Sequence, residues 1–200
     1  MEWDKREVIG KDGREYFMVA INEEQLRIPK ETMSVSNPGP SVQAMFAWTW
    51  PGLRSKAAFR ELEASGQDFS VITVRFHALK VPGTPYRDTV HYLNNQRDDG
   101  AVTDVAKWGP NPHLRRHQVR GHMAYYEPMD QELRLPSGNP VIASCSWLRE
   151  EGDGSCEVTM RWSDELGIQY AFADHDLLKK LVPVHRAVTD FIEAVHRDKE

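Results

Sequence analysis

The chain has 200 residues, 40% of them hydrophobic and 28% charged, which suits one packed domain over residues 1–200 and excludes a disordered chain. Its formal charge of −5 weighs against a general nucleic-acid binder, because phosphate binding wants excess positive charge, though a local basic patch stays open. No apolar run approaches the roughly 20 residues of a helical membrane span, so no span is expected.

Met1-Glu2-Trp3-Asp4-Lys5-Arg6-Glu7 is charged and has no apolar stretch, so it does not read as a signal peptide. Either the protein stays in the cytoplasm, or this is a mature form whose export segment was replaced by an initiator Met. Residues 14–28 read as a hairpin, in which Phe17, Val19 and Ile21 alternate with Tyr16, Met18 and Ala20 before a turn at Asn22-Glu23-Glu24. Asn37-Pro38-Gly39-Pro40 is loop, and residues 45–50 are a short aromatic strand stopped by Pro51. Ser55 is the expected N-cap of a helix through Glu63, with Phe59 and Leu62 on one face and Gly66 past its end.

Residues 71–78 alternate as a strand, with Ile72, Val74, Phe76 and Ala78 facing one way and Arg75 and His77 the other. Residues 82–109 hold few apolar side chains and read as a mobile or partner-contacting region. In the C-terminal half, residues 141–147, 156–162 and 168–172 form an antiparallel meander, its second face wet or covered by a partner. Leu177, Leu181, Val184, Val188, Phe191 and Val195 then recur at spacings of four and three, one stripe of an amphipathic helix that Pro183 should divide. The expected fold class is α+β: an antiparallel β-sheet of hairpins and meander with a C-terminal amphipathic helix packed on it.

Catalytic signatures are absent: there is no GxSxG, HExxH, P-loop or GxGxxG following a strand. His113, His117 and His122 are interleaved with Arg115, Arg116 and Arg120. On a helix, His113 and His117 would share a face and a metal, but Pro110 and Pro112 favour an extended segment and three arginines repel a cation. A basic patch for an acidic protein loop, or a merely solvated surface, fits better. Asp174, His175 and Asp176 fit a helix cap before acid–base chemistry. Asp98, Asp99 and Asp104 lack the spacing of a calcium loop and read as solvated charge. Trp108, Tyr125 and Tyr126 are interface anchors or core. No cofactor and no metal are expected.

Cys145 and Cys156 flank a turn at Glu150-Glu151-Gly152-Asp153-Gly154. One register sets them opposite each other on paired strands, where a disulfide would imply an oxidising compartment. A tighter hairpin would set Cys145 opposite Met160 and leave two reduced, buried thiols.

Several segments resemble the immunity proteins that bacteria pair with type VI secretion effectors, especially lipases and phospholipases. Gly13-Arg14-Glu15-Tyr16-Phe17-Met18-Val19, running into Leu26-Arg27-Ile28-Pro29, resembles their first hairpin. Phe46-Ala47-Trp48-Thr49-Trp50-Pro51-Gly52-Leu53 resembles an aromatic-proline-leucine segment, and Ser144-Cys145 through Cys156-Glu157, then Gly167-Ile168-Gln169-Tyr170-Ala171-Phe172, resembles their closing meander. The resemblance touches about half the chain. It implies a non-enzymatic protein that occludes a cognate toxin in the periplasm once an export segment is removed, the alternative compartment being the cytoplasm. It carries over no shared catalytic residues. Tyr86, Trp108, His113, Arg115, Arg116 and Arg120 are the expected toxin-contacting residues. Two other readings stand beside it: an enzyme using His113, His117 or His175, and a nucleic-acid or regulatory module using Lys107, Trp108, Arg115, Arg116 and Arg120.

Overall fold

Two-residue alternation of apolar and polar side chains governs most of the chain, and such a chain buries one face of a sheet at a time. A computed structural model describes residues 6–32, 42–52, 54–55, 58–79, 86–104, 113–119, 122–129, 134–135, 138, 140–148 and 153–197. Strands β1 (Arg6–Ile9), β2 (Glu15–Ile21) and β3 (Glu24–Pro29) form a small antiparallel sheet in that order. The remaining strands are β4 (Val42–Trp50), β5 (Arg54–Ser55), β6 (Ser70–Ala78), β7 (Thr103–Asp104), β8 (Leu114–Gln118), β9 (Met123–Pro128), β10 (Ala143–Trp147), β11 (Gly154–Arg161) and β12 (Leu166–Asp174). Among the described residues they build one antiparallel sheet in the order β5-β4-β6-β12-β11-β10-β9-β8-β7. The helices are α1 (Phe59–Ser65), α2 (Thr89–Asp98) and α3 (Leu177–Arg197). The expected α+β class, with the terminal helix on an antiparallel sheet, is what the structure has.

One face of the large sheet carries the core. Trp48, Ile72, Val74, Phe76, Ile168, Tyr170, Phe172, Val158 and Tyr126 are buried there against Phe17, Val19, Leu26 and Ile28 of the small sheet and Leu177, Leu181, Val184 and Val188 of α3. Ile192 completes the α3 stripe, while Phe191 is only partly buried and meets Trp48 edge-on at 4.3 Å between ring centroids.

Two local expectations are corrected. Pro183 does not divide α3, which runs unbroken from Leu177 to Arg197. The ring removes the bond to the Lys179 carbonyl, but Lys179 and Pro183 lie on the exposed side, where solvent replaces it. Ser55 is not a helix cap: it belongs to β5, opposite Trp48, and α1 starts at Phe59 with no side-chain cap. Gly66 does close α1, at φ 67°. Residues 82–109, expected as a mobile or partner-contacting region, contain α2.

That helix sits on the other face of the sheet. Its only buried side chains are Thr89 and Leu93, too few to show a helical period. Asp88 starts it, accepting from the His91 N–H at 2.8 Å. Thr89 Oγ1 then accepts from the Thr159 N–H at 2.8 Å and donates to the Thr159 carbonyl at 3.2 Å, pinning α2 to β11. Leu93, Tyr125 and Ile142 make a second small cluster beneath it. Tyr125 and Tyr126 point to opposite faces, as residues adjacent on a strand must. The meander's second face is therefore partly covered by the chain itself.

Candidate functional site

Tyr86 lies on the α2 face of the sheet. Its hydroxyl is shared between the Met160 carbonyl at 3.0 Å and the Ile168 carbonyl at 3.1 Å. Burial, and then Asp88, push the phenol's pKa far above its ordinary value, so the proton stays as a donor. The ring stands over Gly167, where an added Cβ would fall 2.5 Å from Tyr86 Cζ. Gly167 is thus required for Tyr86 to reach the strand backbone. The expected result for Gly167→Ala is a loss of about 1–3 kcal/mol in urea unfolding, with Tyr86 displaced from the sheet.

The histidine–arginine segment is strand, so the helical spacing of His113 and His117 is not realised. His113 is exposed in the turn before β8, whereas His117 is fully buried. Arg115 stands opposite Glu127 and Arg116 opposite Tyr126, and the two arginines project from opposite faces of the sheet. Trp108 and Arg120, with Lys107, lie outside the described residues. The segment therefore does not gather all its cations on one surface. Among the described residues no group of three His, Cys, Asp or Glu is disposed to hold a metal ion.

His117 instead joins α2 to the sheet. Arg97 Nη2 lies 3.2 Å from its Nδ1, and its Nε2 lies 2.9 Å from Glu127 Oε2. A guanidinium only donates, so Nδ1 accepts; a carboxylate accepts, so the ring proton is on Nε2. That neutral tautomer connects Arg97, His117 and Glu127 in one polar chain. His117→Ala leaves Glu127 and Arg97 without this partner in a partly dry site. We expect about 2 kcal/mol less stability and faster amide exchange across α2, read by hydrogen exchange.

Cys145 and Cys156 are register partners on β10 and β11 and form a disulfide within the core. The register with Cys145 opposite Met160 is not adopted: β10 and β11 pair Cys145 with Cys156 and Ala143 with Val158. The Asp174–His175–Asp176 segment precedes α3 as expected. Asp174 Oδ1 accepts from the Asp176 N–H at 2.9 Å, and its Oδ2 takes Lys180 Nζ at 2.7 Å and the Ser70 hydroxyl. Burial would raise the Asp174 pKa, but the Lys180 and Ser70 bonds outweigh it and hold the carboxyl below its ordinary value.

A polar feature not expected from sequence lies along α3. His185, Arg186, Thr189, Asp190 and Glu193 face Trp162 and Arg134 across an open recess of about 380 Å³. His185 is only 4% exposed, and its Nδ1 lies 2.8 Å from the Tyr170 hydroxyl. Burial drives the His185 pKa down to about 4, and it raises that of Tyr170. Both groups are neutral at physiological pH.

No protein-family profile matches the chain, and no curated protein matches it. Among solved structures, it is similar to Smlt3025, an immunity protein of the Stenotrophomonas maltophilia type IV secretion system. The TM-score is 0.56 at 14% identity, over 95% of this chain and 98% of that one. What the two share is the fold. The match runs nearly end to end in both chains, so it takes in the small sheet, the large sheet and the terminal helix together.

Sequence reading placed the candidate surface at Tyr86 and the basic patch of residues 107–122, named His117 without its buried setting, and missed His185. His117 was visible only as one member of a basic run, and its pairing with Arg97 needed α2. His185 followed the core stripe by one residue, between Val184 and Val188, and that position was its available signal.

Proposed function

We propose that this chain is an immunity protein, which binds and occludes a cognate secreted bacterial toxin. The observation that carries the reading is the end-to-end likeness to the immunity protein of a type IV secretion system. The short segments that resemble type VI immunity proteins support it from an independent direction. The two likenesses name different secretion systems, and their common content is neutralisation of a delivered toxin. The type VI assignment and the lipase or phospholipase class of effector rest on the segment resemblance alone. The buried disulfide supports an oxidising compartment, the periplasm, where toxin and immunity protein would meet.

Inhibition follows from a rigid surface closing the toxin's active-site entrance, with a desolvated centre and a polar rim. Tyr86, Arg115, Arg116 and His113, together with Trp108 and Arg120, remain the proposed contacts from sequence. Tyr86 would act through the face it organises, since its hydroxyl is already engaged by the sheet. The test uses the chain as bait in secreted and periplasmic fractions of the source bacterium. Recovery of one hydrolase whose activity falls to zero at one-to-one stoichiometry is the expected result. A purified chain that captures no toxin and itself turns over a substrate overturns the proposal.

A further inference from the structure

We infer that the uncovered strip of the large sheet beside α2 is the toxin's docking surface, and that the toxin sets a lysine or arginine there against Glu157. The inference rests on the immunity reading and adds to it the surface used and the partner's chemistry. Helix α2 is held over β11 by Thr89 and over β8 by Arg97, and it covers only part of that face. One row of side chains stays open across five neighbouring strands. Ser146 of β10 lies between Met123 of β9 and Ser155 of β11, and Ser155 pairs with Ala173 of β12. Val71 of β6 precedes Ile72, the partner of Phe172, and so continues the row beside Ala173. All five side chains are exposed, Met123 by 41% and Val71 by 38%. With strands about 4.8 Å apart, the row is about 19 Å wide.

The make-up of the row suits burial under another protein. Serine, alanine and valine side chains are short, lose little rotamer freedom when covered, and let a partner come close to the sheet. Taller apolar groups stand at the β9 end. They are Met123 itself, Tyr92 of α2, which lies near Tyr125 and is 46% exposed, and Leu148, two residues past Ser146. Methionine and tyrosine are among the residues enriched where interfaces are driest. The row itself holds no charge. Between Tyr125 and Thr73 the next row holds one, Glu157, which is exposed and makes no ion pair among the described residues. The neighbouring charges are engaged elsewhere: Arg75 Nη1 donates to Gln169 Oε1, and His175 meets Asp153 at 3.0 Å. Covering a carboxylate is costly unless an opposite charge meets it, so a partner that buries this row must bring a cation. A second copy of the chain docked two-fold on the strip would bring Glu157 towards Glu157, with no cation in the strip to answer either. The formal charge of −5 also steers a basic partner towards the chain.

The experiment measures the Kd of the captured toxin for the full chain and for Glu157→Lys, Glu157→Gln, Ala173→Arg and Lys11→Glu, at low and at high salt. All these positions are exposed, and circular dichroism and the melting temperature check that each variant is folded. Glu157→Lys and Ala173→Arg should each raise Kd at least ~10-fold. Glu157→Gln should raise it less and weaken its dependence on salt, a readout that a merely structural role would not move. Lys11→Glu, in the turn after β1, should leave Kd within about 2-fold. A wild-type Kd for folded Ala173→Arg or Glu157→Lys, on a toxin the wild type neutralises, overturns the docking surface and leaves the immunity reading standing. Sedimentation of the free chain tests the other occupant, and a monomer is expected. A dimer that Ala173→Arg disperses assigns the strip to self-association and overturns the proposal. A chain that captures no toxin removes the immunity reading and the docking surface with it.

Discussion

Replacing Cys145 and Cys156 together by alanine should lower the free energy of unfolding by about 3 kcal/mol. The bridge closes a loop with a sequence separation of 11, and loop-closure entropy for that length gives about this value at 25 °C. For a chain of this size the melting temperature should fall by roughly 6–12 °C. Both sulfur-bearing side chains are buried in the main core, so the double variant also loses packing between β10, β11 and the helix above them. Thermal unfolding of wild type and variant, with and without reductant, checks the result. Reductant should lower the wild type toward the variant and leave the variant unchanged. Equal melting temperatures in all four samples would remove the disulfide from any account of this fold's stability.

Acid should destabilise the protein well before its carboxylates titrate, because of His185. The folded-state pKa is about 4 against 6.5 for the ordinary side chain. The unfolded chain therefore takes up a proton between these values while the folded chain refuses it. Stability is fully present above pH 6.5 and is lost as pH falls toward 4, by about 3 kcal/mol in total. Below pH 4 the folded state also protonates, and this contribution stops growing. Asp174 acts in a separate, lower window: its depressed pKa stabilises the fold above the ordinary carboxylate value, and that part is lost as pH falls below it. Urea unfolding at pH 7.5, 5.5 and 4.5 separates the two groups. His185→Gln should flatten the profile from 7.5 to 4.5 and leave the steeper loss below pH 4. A wild type as stable at pH 4.5 as at 7.5 would show that His185 is not held neutral by the fold.

These two effects differ in how visible they were beforehand. The cysteine pair stood in the sequence with its turn, and only the choice between two registers was open. Turn residues at Gly152 and Asp153 allowed either pairing, because both registers keep Cys156, Val158 and Met160 on one face. The folded sheet takes the first register, with Ala143 opposite Val158, Cys145 opposite Cys156 and Trp147 opposite Gly154. His185 offered much less. A histidine beside an apolar stripe is polar surface or buried core depending on what stands opposite, and Tyr170 comes from another element.

Element type was legible wherever one face of an element meets a large core. Strands β2, β3, β6, β11 and β12 and the α3 stripe follow directly from alternation at period two or 3.6, since burial of one face is what writes those periods. Helix α2 left no such trace, because a helix that buries only Thr89 and Leu93 needs no apolar stripe. Its cap at Asp88 was the remaining local signal. Pro183 misled for a related reason: the penalty of a proline depends on whether the freed carbonyl reaches solvent, and sequence does not say which side of a helix is wet.

By itself, then, the sequence determined the α+β class, the faces of the long strands and the amphipathic terminal helix, because local periodicity and turn chemistry encode them. The tertiary structure alone decided the strand order, the cysteine register, the split of Arg115 from Arg116 across the sheet, and the settings of Tyr86, His117 and His185. Each of those is a contact between segments far apart in the chain. No local rule specifies such a partner, and only the simultaneous packing of both sheet faces does.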